Sequence, residues 1–85
     1  MPKISEFFGI QIVMQTREHG VAHFHAWYQG QSVSVGIRPF TILAGRIHPR
    51  AQALVMEWVS LHEAELLAAW EAAQSGREIQ KIEGL

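Results

Sequence analysis

The hydrophobic pattern of the chain changes once, near Pro49, from a period of two residues to a period of three to four. Before that point, apolar residues alternate with polar or small ones, which is typical of strands that bury one face. After it, residues 51–74 are nearly all good helix formers, and the apolar ones recur at steps of three and four. Strands followed by a helix predict an α+β fold of two layers.

The first half predicts an antiparallel meander of three or four strands, over about residues 6–47, with one face packed on the helix. Gly30 predicts a tight turn, Pro39 ends a strand, and Gly45 indicates a bulge or a close approach of two backbones. The alternating segments are residues 8–14, 22–28, 33–37 and 41–47.

One long C-terminal helix is predicted for the second half, over about residues 49–75. Pro49 suits the first helical position, and Gly76 suits the position just after the last turn. Ser60 and Glu63 also fit a capping box, which is an alternative that splits the helix at Val59. We favour one helix because the apolar stripe continues through Ser60.

The remaining residues, 76–85, form a short tail that offers an edge strand at residues 79–82. A chain of 85 residues with 48% hydrophobic residues fits one small domain over residues 1–85.

Composition excludes several functional classes. There is no cysteine, which removes disulfides and thiolate metal sites. The formal net charge is −1, from 7 basic and 8 acidic residues, whereas a dedicated nucleic-acid binder usually carries a basic excess. We find no helix-turn-helix pattern, so sequence-specific DNA binding is not expected. With no apolar leader and no membrane span, we expect a cytoplasmic protein that does not bind membranes.

Three of the five histidines lie within seven residues, at His19, His23 and His25. Because residues i and i+2 of a strand share a face, His23 and His25 should project side by side, away from the hydrophobic interior, with Trp27 next along that face. His19 lies in the preceding loop and can fold back towards them. Any chemistry of this chain is therefore expected here.

A divalent metal ion is one interpretation of the cluster. Imidazole is a ligand for zinc, iron and nickel, so His19, His23 and His25 are candidate ligands. His62, on the helix, is a possible fourth.

Metal-free acid/base catalysis is a second interpretation. A pair of histidines can take and return a proton, and an arginine can stabilise developing negative charge. His23 and His25 with Arg17 are the candidate catalytic set. RNA is the suggested substrate, because its 2′-hydroxyl supplies the nucleophile.

Protein binding is the third interpretation. A large aromatic residue among polar groups is the composition of an interface centre, so Trp27, His19 and Arg46 are candidate binding residues. The expected partner is a second copy of the chain or another small protein.

The two remaining histidines are interpreted as structural. His48 is a helix-start residue, and His62 is a partner of Glu65 or Glu63 on the helix surface.

The order of these motifs resembles a small bacterial family, domain of unknown function 4160. The resemblance covers essentially the whole chain. It is carried by residues 1–10, His19, His23 to Ala26, Glu57-Trp58, Leu61-His62, Glu65-Leu66, Trp70 and Ile82.

The resemblance implies a gene arrangement rather than a chemistry. Genes of this family often lie beside another small gene, as in toxin–antitoxin pairs, so one component of such a two-gene system is the expected role. The motif positions present here are His19, His23, His25, Trp58, His62 and Glu65. Where the family usually has two prolines, this chain has Val21-Ala22.

Overall fold

A computed structural model of the chain describes residues 2–16 and 20–85. It contains an antiparallel sheet of five strands in sequential order and one C-terminal helix. The predicted α+β meander with a long helix is confirmed, but the sheet has one strand more than the upper end of the predicted three or four. The elements are β1 (Lys3–Phe7), β2 (Ile10–Val13), β3 (His23–Tyr28), β4 (Gln31–Gly36), β5 (Thr41–Arg46) and α1 (Pro49–Gln74).

The missing strand lies at the N-terminus, where residues 8–14 were predicted to be one strand. Phe8 and Gly9 instead have φ angles of 50° and 77° and form a two-residue turn between β1 and β2. Two positive φ angles in succession are the geometry of the tightest hairpin turns. The turn between β3 and β4 has the same form, with φ angles of 47° at Gln29 and 78° at Gly30, as predicted for Gly30.

Gly45 allows β5 to approach β4 closely. Its φ is 77°, and a Cβ atom at this position would lie 2.4 Å from the backbone oxygen of Ser32. The close backbone approach predicted for this glycine is therefore confirmed. A β-bulge also shifts the register of this strand pair, between Ser34 and Val35.

Helix α1 begins and ends with the predicted caps. The Nδ1 of His48 accepts a hydrogen bond of 3.1 Å from the Arg50 amide, so His48 is the N-cap. Gly76 has a φ of 73°, and the following amide, of Arg77, donates to Ala72 O over 2.9 Å. This is the arrangement in which a glycine closes the last turn of a helix.

Helix α1 spans Pro49–Gln74 and is kinked at His62, a single non-helical residue whose φ and ψ are −127° and 23°. One long helix was the favoured prediction, and the alternative break at Val59 is wrong in position. The Ser60 hydroxyl donates back to Glu57 O over 2.6 Å and does not cap a new helix.

The core lies between the helix and one face of the sheet. Trp58 is fully buried, and its ring centroid lies 5.3 Å from that of Phe7 and 5.8 Å from that of Phe24. The other fully buried side chains include Ile10, Ile12, Met14, Val35, Ile37 and Leu66. The described part of the chain has no helix whose length and apolarity would let it cross a bilayer.

The C-terminal tail runs along the outer edge of β1. The Ile82 amide donates to Ile4 O over 2.8 Å, and Glu83 O accepts a 2.9 Å hydrogen bond from Trp58 Nε1. Ile82 is buried, but residues 79–82 do not form the optional edge strand. The tail thus contributes to the core without extending the sheet.

An exposed ion pair joins the turn after β4 to the helix just beyond the kink. Arg38 Nη2 lies 3.0 Å from Glu63 Oε1. The hydrogen bond and the charge of Glu63 both raise the pKa of Arg38.

Gly45→Ala should destabilise the protein strongly, because the new methyl group requires a left-handed backbone and also meets Ser32 O. We expect a loss of at least about 2 kcal/mol in the free energy of unfolding, measured by urea denaturation. Gly30→Ala is the matched control: its φ is similarly positive but no atom lies within 4 Å of the added group. It should cost only about 1 kcal/mol. Equal losses for the two variants would contradict the close approach.

Candidate functional site

His23 is the first residue of β3, and its side chain is largely buried, with 9% of the residue exposed. Its Nδ1 lies 2.7 Å from Val21 O. A carbonyl oxygen only accepts, so Nδ1 carries the proton, and in the neutral ring Nε2 holds the lone pair. The backbone thus fixes both the orientation and the tautomer of this imidazole.

The two strand histidines lie side by side, as predicted. The ring centroids of His23 and His25 are 5.4 Å apart, with the planes at 80°. Trp70, from the C-terminal half of α1, packs on His23 at 5.0 Å. The prediction that this pair faces away from the interior is therefore wrong for His23, which Trp70 helps to cover, while His25 is half-buried.

One line of exposed side chains crosses the whole sheet on the face opposite the core. Directly paired residues of neighbouring strands share a face, and the register pairs Glu6 with Gln11, Gln11 with Trp27, Trp27 with Ser32, and Ser32 with Arg46. All five residues are exposed. We call this line the Trp27 row: Glu6, Gln11, Trp27, Ser32 and Arg46.

Trp27 stands at the centre of the row, on the middle strand of five, and is 44% exposed. A tryptophan contributes up to about 250 Å² of surface, so roughly 100 Å² stays in water. Covering that area with a partner would contribute about 2–3 kcal/mol of hydrophobic transfer free energy at 25 cal/mol per Å², which the entropic cost of association partly offsets. The row therefore has an aromatic centre, polar flanks and one charge at each end.

The charged residues at the two ends of the row have different surroundings. Glu6, on β1, forms an exposed ion pair with Lys3 on the same strand. Arg46 ends β5 and lines a groove of about 640 Å³ with His48, Gln52 and Met56 of the helix start, among others. Of the predicted binding residues, the structure thus brings Trp27 and Arg46 onto one face, two strands apart.

His62 lies on α1, at the kink. Its ring packs on Trp58 at 5.7 Å, and Trp58 contacts Phe24, which points opposite to His23 and His25 along β3. Its Nδ1 lies 2.6 Å from Glu65 Oε1, as the structural interpretation predicted.

Within residues 2–16 and 20–85, no three side chains of the metal-binding types come together. His19 and Arg17 lie outside the described residues. The metal set of His19, His23 and His25 therefore stays a prediction, which metal analysis of untagged protein tests, as does the role of Arg17 beside the histidine pair.

Sequence reasoning missed three members of the Trp27 row: Glu6, Gln11 and Ser32. None of them carries a motif, and their placement depends on the register of four strand pairs. Gly9 was a weak signal for the first hairpin, because glycine favours the positive φ of a tight turn. Without β1 there was no reason to connect Glu6 with Trp27.

The chain belongs to the family described as Domain of unknown function (DUF4160), whose model matches residues 9–71. The matched segment contains both strand histidines and four of the five members of the Trp27 row, and it leaves Glu6 and the tail outside. The family resemblance seen in the sequence is thus confirmed.

Among curated proteins, the chain is similar to "Protein SprT-like" of Streptococcus sanguinis (strain SK36). The two are 39% identical over 46 residues, which is 54% of this chain and 32% of the relative. The chain thus spans about a third of the length of that relative. No solved structure matches the chain.

His23→Ala should destabilise the protein whether or not a ligand binds, because it removes a buried ring and leaves Val21 O without its side-chain donor. We expect a loss of about 2–3 kcal/mol in the free energy of unfolding, measured by urea denaturation. Leu61→Ala, which truncates a residue that is 64% exposed on the helix, should change it by less than about 0.5 kcal/mol. A His23 variant as stable as the Leu61 variant would contradict the structural role of His23.

Proposed function

We propose that this protein is a protein-interaction module that binds its partner through the Trp27 row, as one component of a two-gene, toxin–antitoxin-like system. The observation that carries the proposal is the exposed Trp27 at the centre of a five-residue line across the face opposite the core. The expected partner is the product of the adjacent small gene, because the family resemblance implies that arrangement of genes.

The composition of the row supports binding to protein. Interface centres are enriched in tryptophan, and binding energy is concentrated in such residues, with polar groups forming the rim. Gln11 and Ser32 flank Trp27 directly and supply hydrogen-bonding groups, while Glu6 and Arg46 supply charges of opposite sign. Paired charges at the rim of an interface fix orientation and reject wrong partners.

The scaffold also supports this use. Binding residues held by strands are placed more precisely than residues on loops. Every member of the row belongs to a strand, and the opposite face of the same sheet packs on α1 through Trp58. The surface is therefore largely formed before a partner arrives, which lowers the entropic cost of binding.

Trp27→Ala should weaken binding to the product of the adjacent small gene by at least about 30-fold, the effect of losing about 2 kcal/mol at an interface centre. Purified wild type and variant are compared by calorimetric titration with the co-purified partner, after circular dichroism shows that both are folded. Leu61→Ala is the matched control, since it also removes an exposed apolar side chain, from the helix. Equal affinities for the three proteins would rule out the Trp27 row as the binding surface.

RNA cleavage is a second candidate function, favoured by the 5.4 Å separation of the His23 and His25 rings. In such a reaction one imidazole removes the proton from the 2′-hydroxyl as that oxygen attacks the phosphorus. The other gives a proton to the 5′-oxygen as its bond to phosphorus breaks.

His25→Ala should abolish this cleavage if the pair is catalytic, because neither histidine alone performs both proton transfers. The assay follows a short single-stranded RNA by chromatography and looks for 2′,3′-cyclic phosphate ends. His62→Ala removes a histidine that pairs with Glu65 on the helix and is not one of the two strand histidines, so it should leave the rate unchanged. Absence of cleavage by the wild type, or equal cleavage by the His25 variant, would exclude the mechanism.

A further inference from the structure

The Trp27 row is complementary to itself when it is reversed. Read from β1 to β5, it runs from a carboxylate through an amide, a tryptophan and a hydroxyl to a guanidinium. When a second copy is rotated so that its β1 lies over β5 of the first, its Arg46 lies opposite Glu6 and its Glu6 lies opposite Arg46. The two Trp27 side chains then meet in the middle.

We propose that, in the isolated protein, a second copy of the chain occupies the Trp27 row and forms a two-fold symmetric dimer, face to face, with the axis running along β3. The proposal rests on the proposed function, since it takes the row to be a protein-binding surface. It adds that a second copy of the chain binds to the row when no other partner is present.

The symmetry follows from the position of Trp27 in the sheet. Most soluble oligomers are closed homodimers, in which the same patch of each copy contacts its equivalent. β3 has two strands on either side, so an axis along it superimposes the sheet on the partner sheet with β1 over β5. An axis across the strands would instead put Glu6 over Glu6 and Arg46 over Arg46, which like charges oppose.

The dimensions are compatible with two ion pairs. Neighbouring strands lie about 4.8 Å apart, so the row is about 19 Å long, and packed sheets lie about 10 Å apart. The side chains of Glu6 and Arg46 together are long enough to cross that gap. Lys3, which pairs with Glu6 in one copy, stays beside the new pair.

The area sets the expected strength. Five short strands present a face of roughly 400–500 Å², less than the ~800 Å² per partner of a standard stable interface. We therefore expect a reversible dimer that forms between about 10 µM and 1 mM protein. A partner that covers more surface than this would displace the second copy from the row.

Charge reversal tests the arrangement. In Glu6→Arg two Arg–Arg contacts replace the two ion pairs, and in Arg46→Glu two Glu–Glu contacts do so. Each variant alone should dimerise at least about 10-fold more weakly than the wild type in sedimentation equilibrium. An equimolar mixture of the two should associate about as well as the wild type, because both cross-pairs in the mixed dimer then join opposite charges.

Two controls separate the dimer from changes in folding. Glu57→Arg makes the same charge change on an exposed helix position and should dimerise normally. The double variant Glu6→Arg/Arg46→Glu should also dimerise normally, because it restores opposite charges within one chain. Thermal denaturation of each variant confirms that the monomers are folded.

The outcomes are decisive. Recovery in the mixture and in the double variant supports the dimer and its axis. A wild type that stays monomeric at about 1 mM, or a mixture no stronger than its components, overturns the dimer. Neither result affects the proposed function, which the Trp27→Ala titration with the partner protein decides separately.

Discussion

Trp58 connects the helix, the sheet and the tail, and the rest of the structure depends on it. Its ring packs on Phe7 of β1 and Phe24 of β3, while its indole nitrogen donates to Glu83 O in the tail. An indole buried without a partner for its N–H would be costly, so this bond ties the last residues to the core. Because the helix uses one face of the sheet in this way, the opposite face stays available for the Trp27 row.

Much of the fold follows from the sequence because it is encoded by local patterns. Each of these patterns depends only on residues close to it in the sequence. They are the change of period at Pro49, Gly30 at the hairpin turn, Gly45 at the close approach, Gly76 at the helix end and Pro49 at the helix start. The first hairpin was missed because Phe8 holds a positive φ, which large side chains rarely adopt. The kink at His62 was not predicted, because the only signal for a break was the possible cap at Ser60, which the structure does not use.

The site was harder to predict than the fold because it depends on contacts between distant segments. Adjacency of His23 and His25 follows from the two-residue period of a strand, and it was correct. The burial of His23 depends on Trp70, 47 positions further along the chain, and nothing in the local sequence signals it. The Trp27 row likewise exists only once four strand pairs are in register.

The C-terminal tail makes the two edges of the sheet different, because it contacts the β1 edge. The Ile82 amide donates to Ile4 O on the outer side of β1, whereas β5 is the terminal strand at the other end. Exposed edges are the places where sheets of different molecules join. Because the tail covers part of the β1 edge, a strand from another molecule that adds there has to displace the tail.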